Sequence, residues 1–309
     1  VTQFYAADQV NGSGSNVMLA GAQDNGSLRF TQAGINSTVE VSGGDGAFCH
    51  IDQDNGNFQI SSFVFNVFFR STNGGASFSN ILNNQTFGRF INPTELDDNA
   101  NILYSGANED QYIRISGITG STNPQLINAN LGGFRASAFT ASPYTNNRIF
   151  IGTGTNGSSG GSKVFRVDNA NATPTVTEIS TSAIPGNGYI SSVAIGSSDN
   201  QIMVTLSNYG LVSVWETRNG GTTWVNREGN LPDMPIRWAL YNPNNTDQVL
   251  LATELGVWSV ENVNVSSPVW EVTNTGLANV RTDMLQYRDS DGQVIVATHG
   301  RGVYTAQPF

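Results

Sequence analysis

The stretch Asn101-Ile-Leu-Tyr-Ser-Gly106, followed after a short turn by Gln111-Tyr-Ile-Arg114, is one copy of a pattern that recurs along the whole chain. Each copy has a turn residue, a short apolar or alternating run, a small polar turn and a second short apolar run, which is typical of two adjacent β-strands. The seven copies begin at Asn16, Asn57, Asn101, Asn147, Asn200, Asp247 and Gly292, so successive starts differ by 41, 44, 46, 53, 47 and 45 residues. This spacing indicates the four-stranded blades of a β-propeller.

A further strand is predicted before each pair, and another after the first six pairs; we call the four strands a to d in chain order. The predicted a strands are Gln3-Phe-Tyr-Ala, Phe48-Cys-His-Ile, Arg89-Phe-Ile, Arg135-Ala-Ser-Ala-Phe, Tyr189-Ile-Ser-Ser-Val, Arg237-Trp-Ala-Leu and Thr282-Asp-Met-Leu. We therefore predict an all-β fold, a single seven-bladed β-propeller with four-stranded antiparallel blades, whose last blade lacks its outer strand within this chain. The predicted blades cover residues 1–45, 46–88, 89–133, 134–188, 189–235, 236–280 and 281–309.

Composition limits the classes of function. The chain of 309 residues has 24 acidic and 14 basic side chains, hence a net charge of −10, which argues against nucleic acid as a partner. No apolar run approaches the length of a membrane span, so membrane insertion is not expected. The only cysteine is Cys49 and the only histidines are His50 and His299. A Ser-His-Asp or Cys-His mechanism would have to use one of these two histidines.

Two segments resemble the Asp-box, also known as the bacterial neuraminidase repeat, S/T-x-D-x-G-x-T/S-W/F. They are Ser71-Thr-Asn-Gly-Gly-Ala-Ser-Phe78 and Thr217-Arg-Asn-Gly-Gly-Thr-Thr-Trp224. Both have asparagine at the family's aspartate position. The resemblance implies that each segment is a structural c–d turn, in which the hydroxyl and the carboxamide bind local backbone and the aromatic ring fills the space between sheets. The matching residues are Ser71, Asn73, Gly75, Phe78, Thr217, Asn219, Gly221 and Trp224.

The wider resemblance is to sortilin-like propellers and to exported surface proteins of Bacteroidetes. It rests on Gln23-Asp-Asn-Gly26, Gly43-Gly-Asp-Gly46, Ala252-Thr-Glu-Leu-Gly-Val-Trp258 and Ala297-Thr-His-Gly-Arg-Gly-Val-Tyr304. It implies an extracellular or outer-surface location, type IX secretion, and membership of a larger protein. Its superfamily contains sialidases and xyloglucanases as well as non-catalytic receptors and assembly factors.

Two classes of function therefore stay open: a non-catalytic module for binding, adhesion or assembly, and a carbohydrate-active hydrolase. A glycosidase needs two carboxyls about 5–10 Å apart across a cleft. The acids on turns that should share one face of the propeller are Asp24, Asp45, Glu109, Asp110 and Glu254, and turns commonly contain aspartate for structural reasons. Because no complete catalytic set is evident, the sequence favours the non-catalytic module, and no catalytic residue is assigned.

Four arginines, Arg89, Arg135, Arg237 and Arg281, open predicted a strands. In a propeller this position lies at the rim of the axial channel, so the arginines could bind an anion or an acidic sugar. Alternatively, Asp45, Asp110 or Glu254 could neutralise them in ion pairs between blades.

No cofactor is expected, and no metal site is assigned. Asp52-Gln-Asp54-Asn-Gly56 and Asp289-Ser-Asp291-Gly292 are similar to Ca²⁺-binding loops but do not have the EF-hand spacing, so structural Ca²⁺ is the weaker interpretation. The expected partners are a neighbouring domain of the parent protein or another chain that completes blade seven, and a glycan. If residues 1–3 were found outside Tyr304 as a fourth strand, the predicted register of blade one would be wrong.

Overall fold

The computed structural model of the chain describes residues 2–154 and 161–309. It confirms the predicted fold class, because the described residues form seven separate antiparallel sheets in which strands follow one another in chain order. Six sheets have four strands and the last has three. The fold is that of a seven-bladed β-propeller.

Within the described residues, the blades contain twenty-seven strands. Blade one contains β1 (Gln3–Gln9), β2 (Met18–Gln23), β3 (Gly26–Phe30) and β4 (Val39–Ser42), and blade two contains β5 (Cys49–Ile51), β6 (Gln59–Ser62), β7 (Asn66–Ser71) and β8 (Ser79–Asn84). Blade three contains β9 (Thr94–Asp97), β10 (Ile102–Gly106), β11 (Gln111–Ser116) and β12 (Asn123–Asn128), and blade four contains β13 (Ala136–Ala141), β14 (Ile149–Thr153), β15 (Val164–Asp168) and β16 (Thr175–Glu178). Blade five contains β17 (Ile190–Ile195), β18 (Ile202–Leu206), β19 (Val214–Thr217) and β20 (Val225–Asn226), and blade six contains β21 (Ile236–Asn242), β22 (Asn245–Thr253), β23 (Gly256–Val260) and β24 (Glu271–Val272). Blade seven contains β25 (Thr282–Tyr287), β26 (Val294–Thr298) and β27 (Gly302–Ala306).

The chain divides into two compact units. One consists of Val1–Ala107, Ile113–Leu126 and Asp283–Phe309, and the other of Asn108–Tyr112 and Ile127–Thr282. In the first unit, the b strands are buried along their length, and a core cluster packs Ile60 and Phe68 of blade two against Leu103 and Ile115 of blade three. In the second unit, corresponding clusters pack Phe150 with Val204, and Met203 with Leu251. Apolar layers between successive blades therefore form the core of each unit.

One strand differs from the sequence prediction. The a strand of blade three is Thr94–Asp97, whereas Arg89-Phe-Ile lies in a bent linker before it. The backbone N–H of Arg89 donates to Asn92 Oδ1 at 3.0 Å, and Pro93 has no N–H to contribute to a ladder. The prediction that Arg89 opens a strand is therefore wrong.

Blade seven is held to blade one inside the first unit. The guanidinium of Arg288 donates to both carboxylate oxygens of Asp291 at 2.7 Å and to the carbonyl of Ser15 at 2.8 Å. The backbone N–H of Gly14 donates to the same carboxylate at 2.9 Å. The pKa of Asp291 lies well below its usual value, chiefly because Arg288 hydrogen-bonds to it. An ion pair on blade seven thus holds the a–b loop of blade one.

The third strand of blade seven lies at an edge of its sheet. β27 pairs with β26 from Val294↔Ala306 to Thr298↔Gly302, and no fourth strand follows among the described residues. Residues 307–309 turn away instead: Gln307 donates to the carbonyl of Asp291, and the Phe309 ring contacts Tyr287. Gln3 bridges His299 rather than Tyr304, and Val1 lies outside the described residues.

A search of the described residues for membrane-spanning helices found none with the necessary length and apolar character.

Candidate functional site

The segment Ser71–Phe78 forms the c–d turn of blade two, and its asparagine bonds inside that turn. Asn73 Oδ1 accepts from Ser71 Oγ at 2.9 Å and from the backbone N–H of Ser77 at 3.0 Å. Ser71 Oγ in turn accepts from the N–H of Gly75 at 2.9 Å. Phe78 packs against a cluster of Leu19 from blade one with Cys49 and Ile51 from blade two. The side chains therefore stabilise the turn, and their hydrogen-bonding atoms have partners within it.

Thr217–Trp224 repeats this geometry in blade five. Asn219 Oδ1 accepts from Thr217 Oγ1 at 3.0 Å and from the N–H of Thr223 at 2.9 Å, while the N–H of Gly221 donates to Thr217 Oγ1 at 2.9 Å. Trp224 Nε1 donates to the carbonyl of Ile179 in blade four at 2.8 Å. The two segments have the same bonds at the same blade position, so both act as turn supports.

Arg237, one of the four arginines predicted at the rim, forms an ion pair with Glu254. Arg237 is the second residue of β21, and its Nε and Nη2 donate to Glu254 Oε2 at 2.9 and 2.7 Å. The side chains retain 21% and 29% of their exposure, so water still screens the pair. This arginine binds a carboxylate of its own blade, whereas the second of the two interpretations placed the ion pairs between blades.

The other rim residues are also engaged within the protein. Arg135 and Arg281 directly precede β13 and β25, Arg89 lies in the blade-three linker, and each of the three interacts with other groups of the chain. Asp45 Oδ1 accepts from the N–H of Asp24 at 2.8 Å, and Asp110 Oδ1 accepts from the N–H of Gly133 at 2.8 Å. These carboxylates cap turns, which is the ordinary structural use of aspartate.

The potential nucleophile and base near residue 50 are buried. Burial raises the pKa of the Cys49 thiol to about 12 and lowers the pKa of His50 to about 4. His50 Nε2 lies 2.8 Å from Thr94 Oγ1. A protonated thiol and a neutral imidazole without access to solvent are suited to packing rather than to nucleophilic catalysis.

The two Ca²⁺-like loops have internal partners. Asp52 Oδ1 accepts from the N–H groups of Asp54 and Asn55 at 3.0 and 2.7 Å, and Asp291 binds Arg288. In the ranges that the structure describes, no group of three or more His, Cys, Asp or Glu side chains is arranged to hold a metal ion.

Two carboxyls in the first unit were not predicted to have unusual surroundings: Asp8 is buried and Asp98 is half-buried. Asp8 accepts from the N–H groups of Gln9 and Ile51, both at 2.6 Å, yet its burial raises its pKa to about 7. Burial, with repulsion from Asp8, Asp52 and Glu95, raises the pKa of Asp98 to about 8. Each acid lies at the end of an a strand, where sequence alone indicates only a turn residue.

A third feature, the aromatic turn of blade two, was also not predicted. Phe65 lies between β6 and β7 with φ of 57°, and its ring meets that of Phe90 edge-on, with centroids 6.0 Å apart. The available signal was the sequence Phe63-Val64-Phe65 at a turn that has an aspartate in blades one and three.

Comparison with solved structures shows two propellers that cover nearly all of this chain. The GH74 xyloglucanase from Xanthomonas campestris aligns with a TM-score of 0.69 and 13% identity over 99% of this chain and 52% of its own. YCF48, solved bound to a D1 peptide, aligns with a TM-score of 0.66 and 12% identity over 98% of this chain and 92% of its own. The chain thus spans about half the length of the xyloglucanase.

No protein-family model and no curated protein matches this sequence. The likenesses to solved structures, at 13% and 12% identity, show the fold alone: the chain is a seven-bladed β-propeller.

Proposed function

We propose that this chain is a non-catalytic binding module, and that blade seven joins it to another polypeptide segment in a larger extracellular or cell-surface assembly. The observation that carries the proposal is the open edge of β27. The third strands of the other blades are covered by a fourth, whereas Thr305 and Ala306 of β27 are exposed. An uncovered edge strand has unpaired backbone groups that favour addition of another strand.

The occupant that fits this edge is an extended segment running antiparallel to β27, from a neighbouring domain of the parent protein or from another chain. The six complete blades supply the template, since each c strand pairs with an antiparallel d strand, as in Val167↔Val176 of blade four. Residues 307–309 leave this position open because they fold towards Asp291 and Tyr287.

The module is proposed as non-catalytic because the groups that could act in catalysis have structural partners. Cys49 and His50 are buried, Glu254 binds Arg237, and Asp45 and Asp110 cap turns. The proposed outer-surface location and type IX secretion rest on the sequence resemblance. The hydrolase remains the alternative function, and an acidic glycan the alternative ligand.

A synthetic peptide that copies the blade-four outer strand, residues 174–180, tests strand addition. We expect millimolar peptide to slow amide hydrogen exchange in Gly302–Ala306 and to leave β16 unaffected. Thr305→Lys, which places a charge on the edge, should abolish this protection, whereas Thr177→Pro in the peptide should prevent pairing. Protection that is absent from β27, or unchanged by Thr305→Lys, contradicts the proposal.

Turnover assays on sialosides and plant polysaccharides, together with a glycan array, test the alternative. Release of product that is lost in Glu254→Gln or Asp110→Asn would show that the module is a hydrolase.

A further inference from the structure

The turn between β6 and β7 has an unusual backbone. Phe65 has φ of 57°, and every other non-glycine residue with positive φ in the described ranges is aspartate or asparagine. A bulky side chain is strained in this region, and such strain persists only where the surroundings fix it. The residue type is therefore not explained by backbone preference.

The b–c turn of blade three shows that the fold does not require phenylalanine here. Asp110 directly precedes the c strand of that blade, as Phe65 does in blade two, and has φ of 61°. The N–H of Phe65 donates to the carbonyl of Phe90 at 3.0 Å, and the N–H of Asp110 donates to that of Phe134 at the same distance. The same turn and the same backbone bond are thus made by a residue that tolerates the conformation better.

What phenylalanine adds is an aromatic surface. The half-buried Phe65 ring stands at 87° to the ring of Phe90, which is 50% exposed. Phe63 lies against Gly44, because a Cβ on that glycine would come within 2.5 Å of the Phe63 ring. We call the surface formed by Phe63, Phe65 and Phe90 the phenylalanine platform; it lies entirely within the first unit.

A buried network of amide hydrogen bonds joins the loops that carry Phe65 and Phe90. Asn66 Nδ2 donates to the carbonyls of Phe87 and Gly106, both at 2.9 Å, and Asn92 Nδ2 donates to Asn66 Oδ1 at 3.0 Å. Asn92 Oδ1 accepts from the N–H of Arg89. These amides fix the loops that support Phe65 and Phe90, which is the arrangement that a preorganised binding surface needs.

From this geometry we infer that the phenylalanine platform binds an extended peptide, with an apolar side chain on the rings and a basic side chain beside it. Phenyl rings supply apolar area and no hydrogen bonds. Asp45 follows Gly44 and lies half-buried at the border of the platform, and the chain has a net charge of −10. Arg89 is half-buried and engaged within the chain. Apolar contact with adjacent negative charge selects a cationic, apolar segment.

A saccharide fits this surface less well. Sugar recognition needs directional partners for several hydroxyl groups, whereas Asn66 and Asn92 below the platform are already bonded to the chain through both their oxygen and nitrogen atoms. The inference does not depend on the open edge of β27, which belongs to a different blade.

The test uses the full chain and a fluorescein-labelled peptide with the repeat Arg-Pro-Leu. We expect saturable binding by fluorescence anisotropy, weakened about tenfold or more in Phe65→Asn and in Phe90→Ser. Tyr209→Ala removes an aromatic side chain that is 65% exposed on another blade and should leave binding unchanged. Asp45→Asn should reduce the preference for this peptide over the same peptide with glutamate in place of arginine.

Stability separates a binding role from a structural one. Asparagine suits the conformation of residue 65, so Phe65→Asn should keep a cooperative melting transition while it loses binding. If either variant fails to fold, peptide-induced protection from hydrogen exchange at residues 63–66 and 88–92 of the unaltered chain provides the readout. Absence of binding at millimolar peptide, binding unaffected by both variants, or cellohexaose binding with the same dependence on Phe65 and Phe90 would each overturn the inference.

Discussion

Asn73 shows how one amide supports a whole turn. Its oxygen accepts two hydrogen bonds, and its nitrogen donates to Ser77 Oγ at 2.9 Å. The same set recurs around Asn219. In both turns the asparagine side chain therefore supplies the hydrogen bonds that hold the turn.

Replacing Asn73 with alanine should lower the free energy of unfolding by about 1–2 kcal/mol, since the turn loses bonds that hold its backbone. Chemical denaturation measures the change. Thr72→Ala, an exposed neighbour in the same turn, is the control and should be nearly neutral. Equal stability of the two variants would contradict the supporting role, and ligand binding elsewhere should be unaffected.

Arg237 and Glu254 should be coupled weakly. Because both side chains are partly exposed, a double-mutant cycle with Arg237→Ala and Glu254→Ala should give about 0.5–1 kcal/mol, reduced by added salt. An acidic sugar should bind no more weakly to Arg237→Ala than to the unaltered chain. A loss of sialic acid binding without a change in melting temperature would instead favour the interpretation in which the arginines bind an acidic sugar.

At the scale of elements, the ends of the a strands in blades one to three bring carboxyls together. Asp8 ends β1 with Gln9, Asp52 follows β5, and Asp98 follows β9. Burial favours the protonated form of Asp8, and burial with repulsion from Asp8, Asp52 and Glu95 favours the protonated form of Asp98. The folded first unit thus holds protons that an unfolded chain would release at neutral pH.

Stability should therefore fall as pH rises from 6.5 to 8.5. The folded-state pKa values of about 7 and about 8 lie above the unfolded value of 3.8, so this contribution is lost as pH rises through them. His50 acts in the opposite direction at lower pH. Its pKa falls from 6.5 to about 4 on folding, so its contribution to stability grows as pH rises from about 4 to 6.5. Asp98→Asn should flatten the decline above pH 6.5 in urea unfolding; a decline as steep as in the unaltered chain would contradict this.

The strands were predictable because alternation and spacing are properties of the sequence itself. The start of β9 was not predictable in this way. It depends on the hydrogen bond that the N–H of Arg89 donates to the Asn92 side chain, and on the absence of an N–H at Pro93. The bonds within the two Asn-containing turns were expected because these segments resemble a known repeat. The burial of Asp8 and the backbone conformation of Phe65 depend on packing between blades. The alternation of apolar and polar residues within one strand does not predict such packing.

At the scale of the molecule, the pair of Arg288 and Asp291 contributes to the attachment of blade seven to blade one, together with the bonds of Gln9 to the carbonyls of Gln286 and Gln293. The guanidinium is buried and bridges the carboxylate of Asp291 and the carbonyl of Ser15. Removal of the carboxylate would leave a buried cation with a single carbonyl partner from blade one.

Asp291→Asn should lower the melting temperature and speed amide exchange in residues 11–17 and 286–293. Asp289→Asn, an exposed residue of the same loop, removes an equal charge and should do neither. Exchange that is unchanged in Asp291→Asn would show that backbone pairing alone holds the blade.

Because Cys49 is buried, chemical modification of its thiol can report the unfolding of this protein. It is the single thiol of the chain, it is fully enclosed, and its raised pKa keeps it protonated at neutral pH. Alkylating reagents need an accessible thiolate, so the native protein should be inert to them, and pulsed labelling would record only openings of the space between blades one and two. The same inertness means that a single cysteine introduced on the surface could carry a dye or a spin label without competition from the native thiol.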